Sequence, residues 1–369
     1  MSSPLPIIIR DLEGVRALEA EWTDLLAHSS EPEVFYGWEW NYHFLRRYCP
    51  DDTPFVVALR DRAGALVGLA PLCIRRRRRF GVTVRVLSSI VVDIGDFRNF
   101  LVRDTARRSS VVPALLEALA ASAGEWDVMD ISQLSTRDPT TFHIVQAAQK
   151  SPEWTTRVEY LTPVAMRYAT SLENTKRRKE VARYVKLAAG RNFAIRLGQE
   201  ITDDLWARFA TLHREVWPQS AFHSEAGRAF FDDLRNAPGL QGHLDFSYVE
   251  HDGEPVAFHF GFVGFGKFYY YMPVMNRAYG KEHVGHILLH SIVQRCTERD
   301  LRIDFLRGLE TYKLLYTDDL SANVRVVVTP NRSLAALAHN IGDLTRSFAS
   351  NLAVTKPVAR RLKGLLGRR

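Results

Sequence analysis

Cysteine is scarce. The 369 residues hold three, Cys49, Cys73 and Cys296, far apart and with neither a pairing pattern nor metal-ligand spacing. That argues against a disulfide scaffold or a cysteine-built zinc site, and the three read as buried thiols of a reducing compartment. Long apolar runs are also missing: no stretch of about 18 apolar residues occurs, so no membrane-spanning helix is expected. The opening MSSPLPIIIRDLEG lacks the charged start and apolar stretch of a secretory signal, and a cytoplasmic chain is expected. No charge sign dominates, since 49 basic residues against 42 acidic ones leave +7. An excess of that size suits an anionic small ligand or loose contact with a membrane surface. Clustered base-reading elements are lacking, so DNA is not expected as a partner. At 46% hydrophobic and 25% charged residues the composition is that of a globular protein, and the length is comfortable for two cores.

The chain repeats its own plan. Residues 12–26 place Val15, Leu18, Trp22 and Leu25 at helical spacing behind Asp11 as N-cap, and an aromatic segment runs from Phe35 to Tyr48. PFVVALRDRAGALVGLAPL reads as a hairpin around Asp61–Gly64, a helix is expected from about Val111 to Ala123, and WDVMDIS returns as a strand. In the second half Asp203–Trp217 is helical with Leu205, Phe209 and Leu212 on one face, and Ser224 caps a helix to about Asn236. Strands flank the turn at Asp252–Gly253, a helix spans about Gly285 to Arg299, and LRIDFLRG closes as a strand. The pattern predicts a duplicated α/β unit with mixed α+β sheets. Its parts are an N-terminal unit over 1–165, a C-terminal unit over 166–330 and a helical tail over 331–369. A new helix is expected to begin near Leu172.

The most specific stretch is DFLRGLETYKLLYTDD, Asp304 to Asp319. It resembles the closing motif of the CelD/BcsL-type GNAT acyltransferases, associated with bacterial polysaccharide and cell-envelope biosynthesis. KRRKEVARYVKLAAG (176–190) resembles the basic helix opening that family's second domain. VGLAPLCIRRRRR (67–79) resembles its N-terminal hairpin, and VFYGWEWNYHFL (34–45) the aromatic segment before it. The double arrangement is also similar to the Fem-type aminoacyltransferases, in which an aromatic–lysine pair after the last strand contacts the donor and reacting centre; Tyr312–Lys313 matches that pair. The resemblance implies two tandem GNAT-like domains, the N-terminal one on the acceptor side and the C-terminal one carrying the chemistry. It implies acyl-CoA as donor, no metal, and a small-molecule or glycan-linked amine as acceptor. An aminoacyl-tRNA donor belongs to the Fem-like alternative. A non-catalytic accessory protein of exopolysaccharide assembly is the reading from a different class.

Acyl transfer needs a deprotonated amine, a stabilised oxyanion and a donor held in line. A helix N-terminus offers N–H groups and a favourable dipole to a donor pyrophosphate, and the RAYGKEHVGHIL segment (277–288) occupies that position. There Gly285 fits the GNAT signature, whereas Glu282 would repel a phosphate and Ile287 would crowd it. Lys313 could place its cation on an oxyanion or a donor phosphate. Glu310, three residues earlier, would share a helix face with it and hold the ammonium or take the acceptor's proton. Asp304 is a further candidate catalytic residue and Arg307 a candidate for binding; three apart on a strand, they would point opposite ways if that strand is regular, so at most one of them is expected to face the site.

His283, His286 and His290 share one helix face, but neither cysteine nor HExxH accompanies them. His283 and His286 are expected to line the donor cleft and His290 to pack. His259 reads as a core histidine, and Tyr270 as facing opposite to Tyr269 and Tyr271. Asp93 and Asp96 resemble the family's aspartate-bearing loop and are candidate acceptor-binding residues. Lys176, in the basic run to Lys179, is a candidate for attracting a phosphorylated donor. Arg75–Arg79 reads as a solvated hairpin end. In the tail, Leu334, Leu337, Ile341, Leu344 and Phe348 form a helical stripe expected to dock on the second unit. VARRLKGLLGRR after Pro357 suits peripheral contact with anionic lipid at the inner membrane surface.

Overall fold

The structure, a computed structural model, describes residues 6–152, 154–167, 179, 183, 185, 186, 191–308, 310–317, 319–330, 335 and 337–343. Lys176 and the start of the helix expected near Leu172 lie outside the described residues, as do Leu334, Leu344, Phe348 and the basic tail.

The duplication is written in the sheet. The N-terminal half runs β1 (Ile7–Ile9), α1 (Leu12–Ala17), α2 (Glu19–Ala27), α3 (Trp38–Tyr48), β2 (Thr53–Arg60), β3 (Leu66–Arg79), β4 (Val82–Ser89), a short β5 (Leu101–Val102), α4 (Arg108–Ala121), β6 (Val128–Ser135), α5 (Pro139–Lys150) and β7 (Trp154–Arg167). The C-terminal half runs β8 (Phe193–Arg196), α6 (Asp203–Val216), α7 (Glu225–Asn236), β9 (Leu244–His251), β10 (Glu254–Gly264), β11 (Lys267–Met275), α8 (Val284–Glu298), β12 (Arg302–Arg307) and β13 (Leu320–Pro330). The strands join one sheet in the order β1-β2-β3-β4-β6-β13-β7-β12-β11-β10-β9-β8, with β5 beside β3. Each half is an antiparallel meander ending in one parallel pair across a crossover helix: β4 with β6, and β11 with β12. The two halves face each other across β13 and β7.

That centre departs from the expected division. β13, at 320–330, does not stay with the C-terminal half but lies between β6 and β7, pairing with β7 from Leu320↔Ala165 to Pro330↔Trp154. Val324, Val326 and Val328 bury in the core under α4 and α5; a strand with one apolar face goes where that face finds a partner.

Local chemistry explains the elements. The expected helix over 12–26 is two helices broken at Leu18, with the Asp11 carboxylate capping Gly14 N–H at 2.7 Å. Thr202 caps α6 and Ser224 caps α7 through side-chain oxygens. The β9–β10 turn uses φ of 51° at Asp252 and 85° at Gly253, the left-handed pair a two-residue hairpin requires. In β10 the register slips between Phe260 and Phe262. A Cβ on Gly261 would meet the His259 ring at 2.3 Å and Tyr269 O at 2.4 Å, so only glycine fits this bulge.

One aromatic core crosses the halves. Trp22, Phe35 and Trp40 from the first pack with Phe209, Phe230, Phe231 and Phe262 from the second, with Phe35–Tyr269 and Trp40–Phe230 ring contacts at 5.8 and 5.4 Å. Buried Lys267 adds ion pairs to Glu31 and Glu33 across the same boundary. The three cysteines are free and buried.

Two surface expectations change. Arg75 is not a solvated hairpin residue: it is buried and bonds Ser88 Oγ, Ser89 O, Ile90 O and Asp52, because β3 carries it inward while Arg76 to Arg78 face solvent. In the tail, residues 337–343 are helical, but Leu337 and Ile341 are 55% and 42% exposed. The opposite face docks: Ala338 joins Val84, Val86 and Val128 of the N-terminal half and Val327 of β13 beside them, and Asp343 pairs with Arg325. The Asp343–Arg325 ion pair fastens this face, with Leu337 and Ile341 of the expected stripe turned toward solvent.

Candidate active site

β11 and β12 pair only over 267–269 and 302–304 and then part. Two cavities open past that split. The first, about 370 Å³, is mostly apolar: Val216 and Trp217 at the end of α6, Phe258, Val274 and Met275 from the strands, and Gly285, His286, Leu288 and Leu289 on α8. The second, about 720 Å³, is the more polar of the two and lies between the halves, where Asp93, Asp96, His213, Arg307, Glu310 and Lys313 interrupt a lining that is otherwise largely apolar. Val216, Trp217, Tyr270, Pro273 and Tyr312 line both. Tyr270 and Tyr312, ring centroids 6.2 Å apart, stand where the cavities meet.

The polar cavity is assembled from both halves. Arg307 donates to Asp96 Oδ1 from Nε at 2.5 Å and to Asp93 O at 2.8 Å, and Tyr271 Oη donates to Ile94 O at 2.7 Å. Arg307 is aimed this way because β12 is irregular at its end. Leu306 has φ 61° and the register with β7 slips between Asp304 and Arg307. Gly308 follows at φ 105°, a left-handed conformation that favours glycine.

Lys313 is 3% exposed. Its Nζ donates to Arg307 O at 2.6 Å and pairs with Glu310 at 2.8 Å. The pair forms as expected, but in a turn leading into a single 3-10 turn (Lys313–Leu315), not on an α-helix. Lys313 therefore brings positive charge to the cavity wall and ties the 307–313 loop. Burial works to raise the Glu310 carboxyl, but the bond from Lys313, a backbone hydrogen bond and the Lys313 charge together hold the group below its ordinary value. That makes Glu310 a fixed carboxylate and a weak proton acceptor.

Asp304 is fully buried and lines neither cavity. Its Oδ1 accepts Leu306 N–H at 2.8 Å, while Oδ2 has no partner among the described residues. Burial, then the nearby charge of Glu33, push its carboxyl up to about 8.

On the donor side, α8 starts with His283 in the left-handed region (φ 58°) and no side-chain cap. Gly285 and His286 line the apolar cavity; His283 stands beside them, its ring 6.3 Å from that of His286. Ile287 is buried in the core of the C-terminal half and cannot crowd a phosphate. Glu282 keeps its carboxylate at this end. Met275 packs against Gly285, where a Cβ would meet Sδ at 2.9 Å. His259 is a core histidine: its ring stacks on Tyr270 at 4.5 Å, and Nε2 accepts Tyr271 N–H.

Sequence reasoning missed His213. It sits on the buried face of α6 with Trp206, Phe209 and Leu212 and lines the polar cavity. A histidine four residues after Phe209 on an apolar face was the available signal. A further cluster, Asp130, His339 and Asp343, has metal-ligand proximity. The Arg325 guanidinium bonds both carboxylates there, so the charge a metal would supply is already present.

Comparison with known proteins now adds to the geometry. Residues 175–314 match the family model of an acetyltransferase (GNAT) domain. The matched stretch includes the C-terminal walls of both cavities, among them Tyr270, Gly285, Arg307 and Lys313. Among solved structures, FemX is 11% identical with a TM-score of 0.57, the match covering 83% of this chain and 95% of that one. The C-terminal domain of a protein from Agrobacterium fabrum described as a lysylphosphatidylglycerol synthetase is 12% identical with a TM-score of 0.56, covering 90% and 96%. L-PGS from Bacillus licheniformis is 13% identical with a TM-score of 0.54, covering 90% and 96%. At these identities the likeness is one of fold. A comparison with curated proteins finds no match. Among the described residues no helix is long and apolar enough to cross a membrane.

Proposed function

We propose that this chain transfers an acyl group from a coenzyme A thioester to an amine. The observation that carries the reading is a pair of cavities, one almost wholly apolar and one carrying charged side chains from both halves, that meet at Tyr270 and Tyr312 within the stretch matching a GNAT domain. The apolar cavity suits the pantetheine arm and acyl group, with exposed Arg277 and the start of α8 on the side of the nucleotide phosphates. The polar cavity suits the acceptor: the carboxylates of Asp93 and Glu310 attract an ammonium group, as on an amino sugar or a glycan-linked amine. At the junction the ammonium gives one proton to solvent and the neutral amine attacks the carbonyl carbon; the oxyanion collapses, the carbon–sulfur bond breaks, and the leaving sulfur takes up the proton that nitrogen loses.

A second reading has its own support. Glu282 and the Met275 side chain against Gly285 make the start of α8 a poor pyrophosphate cradle, which favours a donor without one, such as an aminoacyl ester on tRNA. The fold likeness to FemX and to the lysylphosphatidylglycerol synthetase is consistent with that donor.

Thermal unfolding with free coenzyme A, acetyl-CoA and longer acyl-CoAs separates the two, because a ligand of the native state raises Tm by mass action. The first reading expects a rise that grows with an acyl chain filling the apolar cavity, and release of free thiol when an amino sugar is added. No rise at saturating concentration and no thiol release would overturn it in favour of the aminoacyl donor.

A further inference from the structure

His213 belongs to a two-histidine arrangement that the GNAT reading does not use. Its Nδ1 lies 2.9 Å from Nε2 of His223, and the residue is 5% exposed while lining the polar cavity between Val216–Trp217 and the acceptor-side residues. Nδ1 is taken by His223, which leaves Nε2 as the ring nitrogen available to the cavity.

The shared hydrogen can be placed by satisfying His223. Its Nδ1 is buried and has no partner among the described residues. A buried N–H without an acceptor is costlier than a lone pair without a donor. The His223 proton therefore belongs on Nε2, donated to Nδ1 of His213. With Nδ1 accepting, the neutral His213 ring must carry its own proton on Nε2. The ring also stays neutral: burial, then the neighbouring His223, push His213 down to about 4. A neutral imidazole with its N–H facing a reaction cavity is suited to polarise a carbonyl and unsuited to take a proton.

We propose that His213, its Nδ1 held by His223, donates from Nε2–H to the oxyanion that forms during acyl transfer, with His223 as the positioning residue. This assignment rests on the acyl-transfer reading above. As the acceptor nitrogen bonds to the carbonyl carbon, the π pair moves onto oxygen and the Nε2–H bond to it strengthens. That pair then re-forms the C=O, the carbon–sulfur (or carbon–oxygen ester) bonding pair leaves with the donor atom, and the proton lost by nitrogen ends on that leaving atom. His213 keeps its proton throughout. The backbone does not supply this donor at Tyr271, whose N–H is already given to His259 Nε2 at 3.2 Å.

Two measurements test it. The first needs neither turnover nor a variant: nitrogen NMR of the full chain labelled at histidine, near pH 6.5. It should show His213 neutral, protonated at Nε2 and bare at Nδ1; an Nδ1–H ring or an imidazolium overturns the proposal whatever the reaction is. The second compares His213→Gln, which keeps an N–H near the Nε2 position, with His213→Leu, which removes it. Acyl transfer should fall roughly 10²–10³-fold in kcat for Leu and by a much smaller factor for Gln, with KM nearly constant. His223→Leu should lower kcat by about tenfold at unchanged KM, and His223→Gln should restore most of it. Equal loss in both His213 variants assigns a proton-taking role instead, and full activity in the Leu variant removes the residue from the chemistry; either overturns the proposal and leaves the acyl-transfer reading standing. A wild-type chain without acyl transfer, in the presence of the expected NMR signature, overturns the reading and this use of the donor with it.

Discussion

The two halves solve the same sheet problem in opposite ways. In each, a parallel pair splits after three residues: β4 and β6 after 86–88/128–130, β11 and β12 after 267–269/302–304. In the C-terminal half the split opens onto the two cavities. In the N-terminal half the segment following β4 folds back across the gap. Arg98 bridges to Leu134 and bonds Ser132 Oγ and Gly95 O, and Asn323 donates to Asp96 O. The plugged half then lends the tip of that segment, Asp93 and Asp96, to the open one. Duplication thus yields one site, with the second copy of the split turned into its wall.

The paired registers put Asp130 and Asp304 at the same place in the repeat, opposite Ser88 and Tyr269. Their environments drive them apart. Burial would raise Asp130, but a bidentate bond from Arg325 Nε and Nη2, at 2.7 and 2.6 Å, acts with His339 and the Arg325 charge to hold the carboxyl far below the ordinary range. Asp304 receives one backbone N–H, faces Glu33 and is held protonated. Position in a repeat does not set charge state; the partner does.

The largest way to break the comparison is Asp130→Asn. It leaves Arg325 with one strong carboxylate fewer at the seam between β6 and β13, and a loss of about 3–5 kcal/mol in urea unfolding is expected. A variant within about 1 kcal/mol of wild type would show that Asp343 and Glu159 together satisfy the guanidinium. Next is Asp96→Asn, at the contact between plug and open site. Arg307 keeps its bond to Asp93 O, so a cost of about 1–2 kcal/mol is expected. Acyl transfer should fall about tenfold, mainly through acceptor KM. An unchanged KM would remove the plug from acceptor binding.

Much of this architecture was legible in the residues. Asp252–Gly253 and Ser224 are set by local turn and cap chemistry, the helix at 284–298 by its apolar spacing, and the repeat followed from like segments at like spacing. The exchange of β13 was not legible, because VRVVV fits any position that buries one face. Nor was the burial of Arg75, since a run of five arginines reads as solvated until Ser88, Ser89 and Ile90 supply acceptors. At the site, Arg307, Glu310, Tyr312 and Lys313 were found together with Asp93 and Asp96, and the structure brings all six to one cavity. Asp304 lies in the same motif but turns into the protein. The alternation rule cannot foresee the left-handed Leu306 that decides which of Asp304 and Arg307 faces the cavity.

The smallest expected effect, and the sharpest on charge state, is Asp304→Asn. An aspartic acid held up to about 8 binds a proton that the unfolded chain releases near pH 4. Native protein therefore holds more protons than unfolded protein between those values, and its stability falls as pH rises from about 4 to about 8. An asparagine has no such term. Its Oδ1 can still accept Leu306 N–H, but its amide brings one N–H more than the acid's hydroxyl, at a cost of about 1–3 kcal/mol if left unpaired. At pH 4 the variant should therefore be the less stable. Each pH unit then returns up to about 1.4 kcal/mol to it relative to wild type, so the two should cross below pH 7, with a gain of about 1 kcal/mol at neutrality. The check is urea unfolding of both proteins at intervals from pH 4.5 to pH 8. A difference that stays flat across that range would mean Asp304 is ionised like Asp130, and the contrast between the halves would lose its electrostatic half.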